Sequence, residues 1–316
     1  MPTVFLNGTF LDAADARVSA FDAGVQHGVG LFETMLAVLA ADGVRVIDAE
    51  QHVRRIADSA RALGLSDSIR EAALLEAVER TVAKAELPRA RVRLTITGGD
   101  LNMLARPMPG AGGEAARRHD PTILIHAQPA TAYPAEMFDR GVRVAIADLR
   151  VNPLDPFQGH KTLNYWPRLR ELQAAAAKQC GEALVFQVTN YLAGGCVSNA
   201  IVIKDGRLIT PIARGEEQDV ADAAGDGVEG AVAPSPVLPG VVRERVLRWA
   251  EEHDIDVVRR MVSIEDVLGA DELVLTNSSW GVLPVTHVES KAIAGGGVGP
   301  VSREMIEAWH DHAGTN

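Results

Sequence analysis

The spacing of apolar residues in the first half of the chain predicts both helices and strands. Apolar positions recur at helical spacing over residues 48–65, and a second amphipathic helix is predicted over 68–85. Residues 92–97 are instead rich in β-branched side chains and end at two glycines, which predicts a strand. Residues 122–125 predict another strand, so this half mixes the two kinds of element.

The second half continues the same mixture. Short apolar runs predict strands at 142–147, 184–188, 200–204 and 273–276, and longer amphipathic segments predict helices at about 164–178, 241–253 and 302–312. Asn7-Gly8 and Asp205-Gly206 predict hairpins, because these pairs suit a type I′ turn. Residues 106–120 and 214–236, which are rich in glycine and polar residues, predict surface loops.

A chain of 316 residues is long enough for two domains. We expect an α/β (α+β) architecture with a small N-terminal α/β domain at 1–127, a linker at 128–135 and a larger C-terminal α/β domain at 136–316. The linker is placed where the predicted strand at 122–125 gives way to a segment that contains Pro129, Tyr133 and Pro134.

Composition excludes several classes of protein. A net charge of −11 disfavours nucleic acid as the main partner, because phosphate binding needs clustered Lys and Arg. The longest apolar runs fall far short of the roughly 20 residues that a membrane-spanning helix needs, and the N-terminus does not resemble a secretion signal. Two cysteines cannot build a disulfide framework or a multi-cysteine metal site. We expect a cytoplasmic protein without a membrane partner.

Three motifs are weaker than they first look. The GxGxxG pattern at 225–230 follows no predicted strand and opens no predicted helix, so it does not predict a dinucleotide site. His310-Asp311-His312 lies near the C-terminus with no further ligand close by, which favours a solvated tail over a metal site. Cys196 has no base nearby in the sequence, which favours a small buried residue over a nucleophile.

Other residues suggest an anion site and a reactive amine. Pro239-Gly240 leads directly into a predicted helix, whose first N–H groups attract an anion. The turn after the strand at 273–276 adds hydroxyl donors. One arginine of the helix at 48–65 could join them, although helical spacing alone does not choose between Arg54 and Arg55. Lys161 lies beside apolar and aromatic residues, and a desolvated lysine is nucleophilic towards an aldehyde.

These features belong to a longer series of motifs. In chain order the motifs are Asn7-Gly8, FDAGVQHGVGLFET at 21–34, HVRR at 52–55, KTLNY at 161–165, Ser198-Asn199, LPGVVR at 238–243, NSSWGVLPV at 277–285 and GPVS at 299–302. In this order the chain resembles the fold-type IV, or class IV, aminotransferases, which use pyridoxal 5′-phosphate. The family includes branched-chain aminotransferases, D-amino acid aminotransferases and aminodeoxychorismate lyases.

The resemblance implies a homodimer of two-domain subunits with the cofactor in the interdomain cleft. It identifies Lys161 as the catalytic Schiff-base lysine. The implied cofactor-binding residues are Lys161, Arg55, Tyr165, Val241, Val242 and Ser278, and the implied substrate-side residues are His27, Phe32 and Arg93. A helix N-terminus, a guanidinium and a hydroxyl together suit a phosphate dianion.

Two departures from the family pattern affect the expected chemistry. Val242 stands where the family commonly has a threonine, so a hydroxyl donor to the phosphate is lost. Gly194 stands where the family pattern places the glutamate that pairs with the pyridine nitrogen. Loss of such a charge contact typically costs about 10²–10³ in rate.

The implied activity is transfer of an amino group between an amino acid, branched-chain or D-configured, and a keto acid. Two alternatives remain open. One is aminodeoxychorismate lyase activity, which the spacing of Lys161 and Asn164 favours. The other is a cofactor-binding protein with little turnover, because of Gly194.

Overall fold

The computed structural model describes residues 3–40, 43–100, 121–224 and 233–315. The chain folds into two compact units. The first unit comprises Met1–Ala130 and Lys161–Asn164, and the second comprises Thr131–His160 and Tyr165–Asn316. The short segment that carries Lys161 therefore packs with the first unit, although it lies in the second half of the sequence.

The first unit is built around one antiparallel sheet with the strand order β2-β1-β6-β5-β3-β4. Its elements are β1 (Thr3–Leu6), β2 (Thr9–Asp12), α1 (Ala23–His27), β3 (Gly30–Ala40), β4 (Gly43–Val46), α2 (Ala49–Ala62), α3 (Glu71–Ala85), β5 (Arg89–Thr97) and β6 (Ile123–Pro129). The predicted helices at 48–65 and 68–85 are confirmed as α2 and α3, and the strand predicted at 92–97 is confirmed within β5.

One face of this sheet is covered by α2 and α3. Val53 and Ile56 of α2 pack with Leu31 and Met35 of β3 in a buried apolar cluster. Successive side chains of a strand point to opposite faces. The odd-numbered residues of β3 from 31 to 35 therefore face the helices, and Phe32 and Thr34 face the other side.

The second unit contains a nine-stranded sheet. Its elements are α4 (Glu136–Asp139), β7 (Val142–Val151), α5 (Trp166–Ala177), β8 (Glu182–Gln187), β9 (Leu192–Gly195), β10 (Asn199–Lys204), β11 (Arg207–Thr210), α6 (Glu217–Ala224), α7 (Val241–Glu252), β12 (Val257–Arg259), α8 (Ile264–Leu268), β13 (Glu272–Asn277), β14 (Gly281–Val288), β15 (Lys291–Ala292) and α9 (Pro300–Ala313). Eight strands follow the order β12-β11-β10-β13-β14-β7-β8-β9, and β15 pairs with β14. This unit mixes parallel and antiparallel pairs, because β7 is parallel to both β14 and β8.

Both predicted hairpin turns are confirmed. Asn7 and Gly8 have φ values of 48° and 90°, and Asp205 and Gly206 have φ values of 49° and 74°. A type I′ turn needs positive φ at both central residues, and these residue types tolerate it.

Two expectations were wrong. The segment predicted as a loop at 214–236 includes a helix, α6, because acidic residues and alanines support helical structure despite a weak apolar pattern. Its residues 225–232, with the GxGxxG pattern, lie outside the described residues, as does the loop predicted at 106–120. His310 and His312 are not in a frayed tail but in the last turn of α9, where His310 Nδ1 lies 2.8 Å from Thr315 Oγ1.

Candidate active site

The backbone around Lys161 is held by strand β3. The N–H of Phe32 donates to the carbonyl of Lys161 at 2.9 Å, and the N–H of Leu163 donates to the carbonyl of Gly30 at 2.9 Å. Leu31 and Thr162 form an antiparallel bridge. Lys161 is therefore fixed like a residue of the sheet, although it belongs to no long strand.

The side chain of Lys161 shares an aromatic surface with Arg93. Lys161 Nζ lies 4.3 Å from the centroid of the Phe32 ring, and Arg93 Cζ lies 3.5 Å from the same centroid. Contact with an aromatic face stabilises a cation. The first unit thus brings together a primary amine, a guanidinium and an apolar surface, which can hold a substrate that carries both a carboxylate and a carbonyl or amino group.

Arg55 is half-buried and Arg54 is exposed. The guanidinium of Arg55 makes a two-pronged contact with the carboxylate of Glu33, with Nε–Oε1 at 2.8 Å and Nη2–Oε2 at 2.6 Å. His52 Nδ1 lies 2.7 Å from the same Oε2. Glu33 and His52 were missed as site residues, and the alternation along β3 was the available signal for Glu33.

His27 is the last residue of α1 and is exposed. Gly28 ends this helix with φ 68°. Among the predicted substrate-side residues, the structure brings together Phe32 and Arg93 and leaves His27 at the surface of the first unit.

In the second unit, Tyr165 and Arg168 bind a short backbone segment at the end of β9. The hydroxyl of Tyr165 donates to the carbonyl of Cys196 at 3.0 Å, and Arg168 Nη1 donates to the carbonyl of Gly195 at 3.0 Å. Cys196 is fully buried, as predicted. Burial and the nearby Glu182 carboxylate raise the pKa of the Cys196 thiol to about 12, which makes it a poor nucleophile near neutral pH.

The carboxylate of Glu182 holds the same segment from within. Oε1 accepts from the N–H of Cys196 at 3.2 Å, and Oε2 accepts from the N–H of Val197 at 3.1 Å and the hydroxyl of Ser198 at 3.0 Å. The N–H of Ala183 donates to Oε1 at 2.9 Å. The carboxylate of Glu182 therefore stabilises the conformation of this backbone segment. Sequence reasoning did not identify Glu182.

Gly194 has no side chain, and the backbone conformation at this position is unfavourable for any residue that has a β-carbon. Its φ is 122°, and a β-carbon at this position would lie 2.8 Å from the carbonyl oxygen of Ser198. The strand pair β8/β9 is irregular beside it, which is typical of a β-bulge. The structure therefore has no carboxylate at position 194, and the backbone conformation there disfavours one.

The N-terminus of α7 is positioned by Asn199. The side-chain amide of Asn199 donates to the carbonyl of Leu238 at 2.9 Å, and a β-carbon on Gly240 would collide with Asn199 Oδ1. Gly240 therefore packs against Asn199 as only glycine can, and it has no side chain to cap the N–H groups of Val241 and Val242. Backbone N–H groups at a helix start suit an anion.

A turn after β13 carries Ser278. Asn277 Oδ1 accepts from the N–H groups of Ser279 and Trp280 at 2.9 and 3.0 Å, and Asn277 Nδ2 donates to the carbonyl of Val197 at 3.2 Å. Thr276, which is paired with Asn199 across β10 and β13, has a buried hydroxyl with no hydrogen-bond partner within the described residues. The unsatisfied buried hydroxyl of Thr276, beside Asn199, is available to donate a hydrogen bond to a ligand oxygen.

Neither a metal centre nor a membrane helix is found in the described residues. Their His, Cys, Asp and Glu side chains form no group of three or more that could hold a metal ion. Among the described helices, none combines the length and apolar character needed to cross a bilayer.

Known proteins are similar to this chain over nearly its whole length. The chain is 28% identical over 309 residues to a Methanocaldococcus jannaschii protein whose name assigns it provisionally to the branched-chain-amino-acid aminotransferases, with 98% of this chain and 95% of that protein covered. It is 25% identical over 321 residues to the D-alanine aminotransferase of Staphylococcus epidermidis, with 99% and 98% covered.

Solved structures show the same fold. The Escherichia coli branched-chain amino acid aminotransferase superposes with a TM-score of 0.82 at 25% identity, covering 98% of this chain and 93% of that one. The T.th. branched-chain amino acid aminotransferase with pyridoxamine 5′-phosphate gives 0.82 at 21% identity, with 99% and 95% covered. The 4-amino-4-deoxychorismate lyase of Pseudomonas aeruginosa gives 0.76 at 24% identity, with 98% of both chains covered.

The family model described as amino-transferase class IV matches residues 30–288. That range contains Lys161, the Glu33–Arg55 pair, the segment shaped by Glu182 and the start of α7. The chain therefore belongs to the class IV aminotransferase family.

Proposed function

We propose that this protein is a pyridoxal-phosphate-dependent aminotransferase that moves an amino group between an amino acid, branched-chain or D-configured, and a keto acid. The observation that carries the proposal is the position of Lys161, whose backbone is bound to β3 and whose amine lies over the Phe32 ring beside Arg93. Membership in the class IV family supports the same activity.

Different residues of this chain would bind different parts of the cofactor. Lys161 would hold the cofactor through its aldehyde carbon, and Tyr165 would contact the 3-hydroxyl. The candidate phosphate donors that the family resemblance implies are the guanidinium of Arg55, the N–H groups of Val241 and Val242, and the hydroxyl of Ser278; each would donate a hydrogen bond to the phosphate. When bound, pyridoxal phosphate supplies an electron sink for the charge left at the substrate Cα. The relative with pyridoxamine 5′-phosphate supports this cofactor.

On the substrate side, Lys161 acts as the base. Its Nζ would accept the proton from the Cα of the amino acid and later donate that proton, so the same amine would serve as base and then as acid. Arg93 binds the substrate carboxylate, because a guanidinium suits a carboxylate better than any other side chain does. Phe32 would pack against the substrate side chain, and the resemblance also places His27 on the substrate side.

Gly194 lowers the expected rate, because no carboxylate at this position keeps a ring nitrogen protonated. A charge contact of this kind is typically worth about 10²–10³ in rate. A protein that binds the cofactor with little turnover is therefore the outcome to be excluded by assay.

Aminodeoxychorismate lyase activity is the second candidate. The spacing of Lys161 and Asn164 and the Thr276-Asn277-Ser278 turn favour it. It would also begin with removal of a Cα proton by Lys161, so the same residues would serve both reactions.

We also propose that the protein acts in the cytoplasm as a homodimer. The second unit exposes Leu154, Phe157 and Trp166 by 77%, 55% and 71%, and the first unit exposes Phe21 and Val25 by 67% and 64%. Large apolar side chains exposed in groups are typical of protein interfaces. Sedimentation of the purified protein as a monomer at micromolar concentration would refute the dimer.

The function is tested on the purified full chain in three steps. An absorption spectrum first reports bound cofactor, and borohydride reduction followed by peptide mass spectrometry then locates the attachment site. We expect the adduct on Lys161, with Lys161→Ala losing it and Lys178→Ala, an exposed control, keeping it. Attachment at another lysine would overturn the assignment of Lys161.

A substrate screen then separates the activities. Branched-chain L-amino acids, D-amino acids and aminodeoxychorismate are offered in turn, with 2-oxoglutarate and pyruvate as acceptors. Keto acid release supports the aminotransferase, 4-aminobenzoate release supports the lyase, and neither product from cofactor-loaded protein supports the binder with little turnover.

A further inference from the structure

We propose that Glu33 and His52 are positioning residues that hold the guanidinium of Arg55 in one orientation for an anionic phosphate group. The proposal rests on the proposed function, in which Arg55 binds the cofactor phosphate. It adds a role for two side chains that reach Arg55 from two different elements, β3 and α2.

The first observation is the shape of the contact between Glu33 and Arg55. The carboxylate is 1% exposed and the guanidinium side chain is 11% exposed, so water competes little with either group. Two parallel hydrogen bonds, at 2.8 and 2.6 Å, join one edge of the guanidinium to both carboxylate oxygens. A fork of this kind fixes the plane of the guanidinium as well as its distance. Glu33 takes two of the five N–H donors that an arginine has.

The second observation is the contact between His52 and Glu33. His52 Nδ1 lies 2.7 Å from Glu33 Oε2, and the ring is 2% exposed. An ionised carboxylate can only accept hydrogen bonds, so Nδ1 carries the hydrogen. Burial would raise the pKa of Glu33, but the charge of Arg55 and the hydrogen bond from His52 lower it to about 2, which keeps the carboxylate ionised.

The protonation state of His52 determines how its ring meets Glu33. Burial lowers the pKa of His52 more than Glu33 raises it, so the ring is neutral near pH 7 with its hydrogen on Nδ1. Arg55 Nη2 lies 3.4 Å from Nδ1, but both atoms are donors and do not bond to each other. His52 therefore restrains Oε2, and Oε2 restrains Arg55.

The third observation is the place of Glu33 on β3. Its neighbour Phe32 points to the opposite face, where it contacts Lys161. One strand thus positions both the ring that contacts Lys161 and the carboxylate that orients Arg55. A preorganised donor does not lose rotational freedom on binding, which is the physical advantage of such an arrangement.

A purely structural ion pair would stabilise the fold without affecting phosphate binding in particular. The experiment therefore compares pyridoxal phosphate with pyridoxal, which has the same aldehyde and no phosphate. Dissociation constants are measured by fluorescence titration of the full chain for the wild type, His52→Leu, His52→Asn, Glu33→Gln, Arg55→Ala and the exposed control Arg54→Ala. Circular dichroism and thermal unfolding check that each variant is folded.

We expect His52→Leu and Glu33→Gln to weaken pyridoxal phosphate binding about tenfold or more, which corresponds to the loss of one charge-assisted hydrogen bond. Binding of pyridoxal should change less than twofold. His52→Asn should behave like the wild type, because its amide can donate from a position close to that of Nδ1. Arg54→Ala should have no effect.

Two results would overturn the proposal. One is an equal loss of pyridoxal and pyridoxal phosphate binding, which marks a structural role. The other is unchanged or tighter phosphate-dependent binding in a folded His52→Leu protein. If Glu33→Gln does not fold, the comparison of His52→Leu with His52→Asn still tests whether a hydrogen bond from position 52 is needed for phosphate binding. If Arg55→Ala binds pyridoxal phosphate normally, the assignment of Arg55 as a phosphate-binding residue is wrong. If the wild type binds no pyridoxal phosphate, the proposed function as a whole is wrong.

Discussion

Lys161 and Phe32 are joined twice, by a main-chain hydrogen bond of 2.9 Å and by the contact of Nζ with the Phe32 ring at 4.3 Å. The two residues are 129 positions apart in the sequence. The hydrogen bonds to β3 fix the backbone of Lys161. The position of the amine therefore depends only on the rotamer of the lysine side chain. Changes in the residues around this pair should therefore affect substrate binding and cofactor binding separately.

Replacement of Arg93 tests its role on the substrate side. Arg93→Gln removes a charged donor from the face that carries Lys161, and a hydrogen bond to a charged group is worth roughly 1.5–3 kcal/mol. We expect KM for the amino acid to rise by about ten- to a hundredfold, with cofactor affinity unchanged. Steady-state kinetics and cofactor titration give the two values.

The matched control for Arg93 is Arg91→Gln, because Arg91 lies on the same face of β5 but is exposed and binds Gln128 at 2.9 Å. Equal effects of the two changes on KM would show that general positive charge, and not Arg93 itself, attracts the substrate.

The stability of the first unit should depend on Glu33 in a pH-dependent way. Its pKa falls from 4.5 to about 2 in the folded state, because the lowering by Arg55 and His52 outweighs the effect of burial. A lowered folded-state pKa stabilises the fold above about pH 4.5, and this contribution is lost as the pH falls towards 2. The full contribution is about 3 kcal/mol.

We expect urea unfolding followed by circular dichroism to show Glu33→Gln less stable than the wild type at pH 6, with the gap narrowing from pH 4.5 towards pH 2. Glu79→Gln, an exposed change on α3, should show no such trend. A gap that is constant over this range would contradict the ionised Glu33.

Asn199 should affect both folding and phosphate binding. Asn199→Ala leaves the part-buried carbonyl of Leu238 without this donor and removes the surface against which Gly240 packs. Loss of a buried hydrogen-bond partner costs about 1–3 kcal/mol. We expect a lower Tm together with weaker binding of pyridoxal phosphate, measured by thermal unfolding and by titration. Lower stability with unchanged cofactor affinity would separate Asn199 from the anion site.

Gly194 should tolerate no side chain. Gly194→Ala forces an alanine to φ near 122° and brings its β-carbon to 2.8 Å from Ser198 O, and strain of this kind costs about 1–3 kcal/mol. Gly206→Ala is the control, because Gly206 also has positive φ, at 74°, but has open space around it. We expect the Tm to fall further for Gly194→Ala. Equal losses would mean that the contact with Ser198 is easily relieved.

Local signals predicted much of the fold. The helices α2 and α3 follow from one apolar stripe each, and both type I′ turns follow from the residue pairs that such turns require. The helix α6 was missed, because it has few apolar residues and lies among glycines. Its stability depends on contacts that a periodicity cannot show.

The candidate site was predictable only in part. The sequence suggested an anion site at Val241, and the family resemblance named Arg55, but helical spacing alone could not choose between Arg54 and Arg55. That choice depends on Glu33, which is 22 positions from Arg55 and meets it only in the folded sheet. The sequence also showed the missing acid at position 194 but not the backbone conformation that now occupies its place.

That conformation limits what protein engineering can do at this position. Gly194→Glu alone would place a β-carbon against Ser198 O at a φ that side chains rarely adopt, so the variant would lose stability before the new carboxylate could act. An engineered acid at 194 therefore needs the backbone from 194 to 198 to be redesigned at the same time.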